Sequence, residues 1–232
     1  MNAHKNARTP VAVRVAIGDR SLHGDLGLPD HPHGLVLFAH GSGSSRHSPR
    51  NQFVAGVLER AGFATLLIDL LTAEEEAVDA RTAQLRFDID MLAGRLVAIV
   101  DWLRRRPDVA TLPVGLFGAS TGGGAALVAA AARPHEIAAV VSRGGRPDLA
   151  GPALARVSAP TLLLVGGLDT PVIQMNREAM AKMGGEVVLE IVPGATHLFE
   201  EPGTLERVAD LAAGWFTRYL EPAHAASADR SA

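Results

Sequence analysis

Val114-Gly115-Leu116-Phe117-Gly118-Ala119-Ser120-Thr121-Gly122-Gly123-Gly124 is the stretch on which the reading of this chain turns. An apolar run of strand character, residues 114–117, enters Gly118-x-Ser120-x-Gly122 and continues into an alanine-rich segment, residues 122–132, of helical character. Gly-x-Ser-x-Gly alone is a weak pattern, because both residue types are common. Its position between a buried strand and a helix is the context a nucleophile elbow requires. A serine there sits at a sharp turn with strained dihedrals, and small residues at 118 and 122 let neighbouring backbone come close. The helix that follows also aims its first amides at the site and favours an anion there.

On either side of the elbow the same alternation recurs. Residues 35–39, 64–68, 138–141, 161–165 and 187–192 are continuous apolar runs whose length and β-branched content suit strands buried on both faces. Helical patterning occupies 51–61, 87–105, 171–183 and 204–220, with Pro171 read as an N1 proline and Gly184 and Gly185 as the stop. Alternation of this kind predicts an α/β fold, a mostly parallel sheet of about seven to eight strands with right-handed crossovers and helices on both faces. Residues 11–17 and 21–28, separated by Gly18, Asp19 and Arg20, predict an antiparallel hairpin at the sheet edge. The stretch 71–84, with Glu74, Glu75 and Glu76, reads as a surface loop or helix edge, too short for a separate cap domain. Residues 1–10 and 222–232 are expected to be disordered, which leaves one domain over 11–221.

Composition narrows the function classes. The chain has 232 residues, 47% hydrophobic and 20% charged, enough for one substantial core. Its 22 basic and 25 acidic residues leave a net charge of −3, with no electrostatic reason to bind nucleic acid. With no cysteine there is no disulfide, thiolate metal site or cysteine nucleophile. The polar N-terminus lacks a signal-like apolar stretch, and no segment supplies the run of about 20 apolar residues that a membrane span needs. The expectation is a soluble cytoplasmic protein with no membrane partner; oligomeric state is not legible.

Two further groups sit at strand ends, after the serine in chain order. Residues 161–165 are followed by Gly166-Gly167-Leu168-Asp169-Thr170-Pro171, and the next strand by Pro193-Gly194-Ala195-Thr196-His197. A serine hydroxyl is a poor nucleophile until an imidazole takes its proton, and the imidazole needs a carboxylate to fix its tautomer. Ser120, His197 and Asp169 fit those roles in the order Ser, Asp, His. Alone, Asp169 reads equally well as a helix cap, and His197 as a surface or core histidine. Asp69 is a rival acid, ranked lower because its strand precedes the nucleophile. The loop His40-Gly41-Ser42-Gly43 after strand 35–39 also loosely suggests a dinucleotide fingerprint. Arg46 occupies the third glycine position and Pro49 delays the helix, which argues against that alternative.

On Gly118 to Gly122, Asp169, His197 and the 40–43 loop, the chain resembles the α/β-hydrolase superfamily over roughly residues 11–220, most closely its dienelactone-hydrolase-like branch. The resemblance implies a compact hydrolase acting on small esters or lactones, with no metal or organic cofactor. It also implies an oxyanion hole from the backbone amides of Ser42 and Thr121, with Gly43 as the alternative to Ser42. Ser120 stands where dienelactone hydrolases proper carry cysteine, so dienelactone itself is not the expected substrate. Arg46 and Arg143, with His47 and Arg50 beside them in the reading, are candidate substrate contacts that would suit a carboxylate. Arg143 has a structural alternative, an ion pair with Asp148 or Asp169. The leading expectation is a carboxylic-ester hydrolase working through an acyl-enzyme on an open, shallow site. Thioester, lactone or peptide cleavage and acyl transfer would use the same residues, and a non-catalytic binding protein on the same fold is the alternative class.

Overall fold

The computed structural model describes residues 9–220, and the termini expected to be disordered fall mostly outside them. One eight-stranded sheet runs in the order β1-β2-β4-β3-β5-β6-β7-β8. The strands are β1 (Val11–Ile17), β2 (Arg20–Gly27), β3 (Leu35–Ala39), β4 (Ala64–Ile68), β5 (Val114–Ala119), β6 (Ile137–Arg143), β7 (Thr161–Gly166) and β8 (Val187–Val192). β1 and β2 form the expected edge hairpin, β2 meets β4 antiparallel, and every other pairing is parallel.

The helices are α1 (Pro49–Arg60), α2 (Ala73–Thr82), α3 (Ile89–Leu103), α4 (Thr121–Ala132), α5 (Thr170–Met180) and α6 (Thr204–Leu220). Strand alternation sorts the core into two layers. Leu35, Leu37 and Ala39 pack with α3 and α4, whereas Val36, Phe38, Phe117 and Val141 pack with α1 and α6. β3, β4, β5 and β7 are buried along their whole length, which is why they read as unbroken apolar runs. From β3 the chain passes to β4 on one side and then returns to β5 on the other. The loops after β3 and β5 therefore diverge at the carboxyl edge, where open α/β sheets form their crevice.

Within segment 71–84, read as a surface loop or helix edge, residues 73–82 form the full helix α2. Thr72 caps α2 through a reciprocal box, its side chain accepting from Glu75 N–H at 3.3 Å while Glu75 accepts from Thr72 N–H at 2.9 Å. The inward residues of α2 are Glu75 and Asp79, not apolar ones. Arg95 on α3 grips both Glu75 oxygens at 2.6 Å, and Arg86 holds Asp79 at 2.6 Å. A helix buried by ion pairs has no apolar stripe to read, so hydrophobic periodicity missed it. α5 likewise ends at Met180, before the two glycines taken as its stop. Gly185 instead lies against strand-entry backbone, where a Cβ would come within 2.9 Å of Ser158 O. A 3-10 segment, Pro147–Arg156, packs against α4 and gave no sequence signal.

Two contacts lock the first turn of α4 onto the sheet. A Cβ on Gly118 would meet Gly123 Cα at 2.5 Å, and a Cβ on Gly122 would run into the carbonyl oxygens of Ala39 and His40. Below them His40 is buried, its Nδ1–H donating to Gly41 O at 3.0 Å and its Nε2 accepting Leu70 N–H at 2.9 Å. Burial lowers its pKa below the ordinary 6.5, so the folded protein keeps this ring neutral.

Two outcomes are expected. Gly122→Ala should lower folding stability by about 2 kcal/mol or more, read from urea denaturation, because the clash is with fixed backbone. For His40, the unfolded chain takes up a proton near its ordinary pKa while the folded one resists, so stability is full above that pH and is lost as pH falls toward the folded value. The denaturation midpoint should drop between about pH 7.5 and 5.5, and by less in His40→Gln. An equal drop in both proteins would assign the loss to other groups.

Candidate active site

Ser120 occupies the junction of β5 and α4 with φ 51° and ψ −122°, a positive φ that a residue with a side chain adopts only under constraint from its surroundings. The constraint comes from both sides. Ser120 N–H donates to Arg143 O at 3.2 Å, and Ser120 O accepts from Gly123 N–H at 2.9 Å and Arg146 N–H at 3.0 Å. The turn leaves the side chain half-buried at the carboxyl edge of the sheet, and Ser120 Oγ makes no hydrogen bond among the described residues.

Asp169 sits at the N-cap position of α5, the place a capping reading would give it, yet its side chain does not cap the helix. Asp169 Oδ2 instead accepts from His197 Nδ1–H at 2.7 Å, with the carboxylate side chain 14% exposed and the imidazole 39%. That bond places the proton on Nδ1 and leaves Nε2 as an acceptor. The histidine loop is held by its own turn. Thr196 donates through its N–H at 3.0 Å and its hydroxyl at 2.6 Å to Glu201, and buried Phe199 adopts φ 56°. Gly144, next to the strand end that binds Ser120, lies against His197, since a Cβ there would be 3.4 Å from the ring Cε1. Serine, histidine and aspartate thus come from the ends of β5, β8 and β7 to one rim.

Ser42 and Thr121 also meet, though not as two free amides. Ser42 N–H donates to Thr121 Oγ1 at 3.0 Å, and the two hydroxyls lie 3.1 Å apart. Gly43, exposed with φ 66°, has an N–H that meets no acceptor among the described residues. Thr121 opens α4, so its own N–H lies outside the helical ladder.

The arginines separate. Arg46 is committed to structure, its backbone N–H donating to Asp69 Oδ1 at 2.7 Å, its guanidinium bonded to Asp69 and its Nε 3.3 Å from Asp25. The same bonds occupy Asp69, the rival acid, away from His197. Arg50 pairs with Glu200 at 3.0 Å, and His47 is exposed. Arg143 pairs with neither proposed carboxylate: Asp148 is held by Arg146 at 2.7 Å and Asp169 by His197. His40, passed over as a functional residue, fixes the loop after β3; its only sequence signal was a histidine directly after a buried strand.

A cavity of about 350 Å³ lies between Asp25, Gly27, Arg46 and Glu59, and one of about 270 Å³ between the 3-10 segment and α5; neither is lined by Ser120, Asp169 or His197. Among the described residues no cluster of three or more His, Cys, Asp or Glu could hold a metal ion, and no helix is long and apolar enough to cross a membrane.

The crystal structure of dienelactone hydrolase from Anabaena variabilis superimposes with a TM-score of 0.89 at 62% sequence identity, covering 91% of this chain and 98% of that one. Est1E from Butyrivibrio proteoclasticus shares the fold at a TM-score of 0.75 and 16% identity, over 89% of this chain and 98% of that one. A Mycobacterium tuberculosis protein (strain H37Rv) that carries the provisional name phosphoribosyl transferase is 59% identical over 208 residues, 90% of this chain. This chain spans only 46% of that protein's length, so the name describes a protein more of which lies outside the match than within it. The α/β-hydrolase architecture is shared with the solved structures, and among the described residues of this chain no separate cap domain is evident. The dienelactone hydrolase family pattern matches residues 23–227, and the chain belongs to that family.

Proposed function

We propose that this protein is a serine hydrolase that cleaves a small carboxylic ester, open-chain or lactone, through an acyl-enzyme on Ser120. The observation that carries the reading is the 2.7 Å bond from His197 Nδ1 to Asp169, made on the same rim as a serine held at positive φ. The carboxylate serves the imidazole instead of capping its own helix, and the strained turn leaves a half-buried hydroxyl at the sheet edge.

In the first half-reaction His197 Nε2 takes the Ser120 proton as Oγ bonds the carbonyl carbon. Asp169 holds the ring and balances the imidazolium. The oxyanion forms against Thr121 N–H and the loop after β3. Gly43 N–H is free to receive it, whereas Ser42 N–H joins only by releasing Thr121 Oγ1. The positive end of α4 favours the same charge. Collapse expels the alcohol, which takes the proton from His197. Water then attacks the acyl group with His197 as base, and the carboxylic acid leaves as Ser120 regains its proton. The hydroxyl must swing toward the ring before attack, a tightening ordinary for catalytic contacts that form with substrate.

Phosphoribosyl transfer, suggested by the name of the longer mycobacterial relative, displaces pyrophosphate from a sugar carbon. A serine, a tautomer-fixed histidine and a carboxylate are groups suited to acyl chemistry instead.

On 4-nitrophenyl esters from acetate to octanoate, Ser120→Ala is expected to reduce kcat by roughly 10⁴-fold or more and to abolish labelling by a fluorophosphonate. Asp169→Asn, which leaves the ring its partner but with the wrong tautomer, should cost about 10⁴-fold in kcat with little change in KM. A folded wild type that neither turns over these esters nor takes the label would overturn the reading.

A further inference from the structure

Residues 143–146, at and just past the end of β6, hold the nucleophile against the base. Arg143 O receives Ser120 N–H at 3.2 Å, and Arg146 N–H donates to Ser120 O at 3.0 Å. Gly144 lies between them, where a Cβ would come 3.4 Å from His197 Cε1 and 3.5 Å from Nδ1. The spacing of Ser120 and His197 therefore depends on this backbone segment as well as on the two loops that carry them. The room for it is narrow: a Cβ on Gly145 would collide with Ser142 Oγ, and one on Gly123 would lie 3.1 Å from Gly145 Cα.

Past the strand end, Gly144 N–H donates to Leu164 O on β7 at 2.7 Å, and Gly145 O accepts from Asn176 Nδ2 on α5 at 3.1 Å. Among the described residues no other donor reaches Gly145 O. Asn176 is fully buried and stands about two turns beyond Asp169 on the same helix. One face of α5 thus carries both the carboxylate that orients His197 and the amide that holds Gly145. Asn176 Nδ2 also meets Val172 O at 2.8 Å, and two carbonyl neighbours fix which end of the amide is the donor. Its Oδ1 has no partner among the described residues. A buried amide with its oxygen unmet serves stability poorly, and an apolar side chain of similar size would fill the space at lower cost. Val172 O already belongs to the α5 ladder, so what the amide adds outside its own helix is the bond to Gly145.

We propose that Asn176 is a positioning residue for the Ser120 reaction: through Gly145 it holds residues 143–146 at the spacing from which His197 can take the Ser120 proton. It touches neither substrate nor reacting atoms. This rests on the hydrolase reading above, and its test separates the two.

Asn176→Leu removes both amide bonds, whereas Asn176→Ser keeps a hydroxyl that can reach Val172 O four residues back and is too short for Gly145 O. Measured on 4-nitrophenyl acetate well below each Tm, both should lose roughly 10²-fold in kcat, the cost of about 1 Å of misplacement, with KM nearly unchanged. Fluorophosphonate labelling should slow in step. The control is Ala179→Gly, a buried position one turn further along α5, which loosens the same helix and keeps the amide; it should lower Tm and leave kcat intact. If Asn176→Leu does not fold, Asn176→Ser carries the comparison. The second arm needs no turnover: the NMR resonance of His197 Cε1–H, the ring position against Gly144, is assigned with His197→Gln. It should shift in the Asn176 variants and stay in place in Ala179→Gly. If wild type neither hydrolyses esters nor takes the label, yet that resonance moves as described, the hydrolase reading falls and the tie from Asn176 to the rim stands. A kcat that survives in the Asn176 variants, a loss matched by Ala179→Gly, a change confined to KM, or an unmoved Cε1–H resonance would overturn the positioning role.

Discussion

A backbone-to-backbone approach governs this protein: the first turn of α4 lies directly on the end of β3, so closely that Gly122 cannot carry a Cβ against the carbonyls of Ala39 and His40. Because α4 begins there, the chain leaving β5 has no room for a gradual turn, and Ser120 is forced to positive φ. Because β3 ends there, the loop from His40 to Gly43 is brought to Thr121, whose hydroxyl ties it down through Ser42. The elbow and the loop that faces it are thus two results of one packing constraint, and glycine at 118 and 122 is what admits it.

Strand order supplies the rest. The reversal between β4 and β5 on either side of β3 opens the carboxyl edge, and β6, β7 and β8 follow in sequence along it. Each brings one loop to the same rim: Arg143 and Gly144 beside the serine, Asp169 after β7, and His197 after β8. The carboxylate reaches the ring from an N-cap position whose capping role it gives up. This is local stability exchanged for orientation of a neighbour, a pattern found where function competes with packing.

Charge is distributed in two distinct ways. Glu75, Asp79 and Asp69 are each met by an arginine, and those pairs seat α2 and the loop after β3. They fix conformation more than they add net stability, since desolvation offsets much of the attraction in buried pairs. Arg143 is the second case. It lies buried near a like charge, with its Nε and Nη1 unpaired among the described residues.

What the chain order alone determined was the run of strands and the residues that directly follow them. Apolar runs of strand length, glycines around Ser120, and an aspartate and a histidine just beyond successive strands were legible because parallel strands buried on both faces leave continuous signals and deliver their loops to one edge. Tertiary structure decided what depends on partners distant in sequence. α2 was unreadable because its inward face is acidic and finds its arginine on α3, 20 residues on. Arg46 and Arg143 were indistinguishable as arginines near the site. Only the folded chain, which brings Asp69 and Asp25 to one and, among the described residues, no carboxylate to the other, makes the first a structural tie and leaves the second a buried cation on the strand end whose carbonyl binds Ser120. Sequence carries periodicity, whereas the pairing of a charge is a property of the space around it.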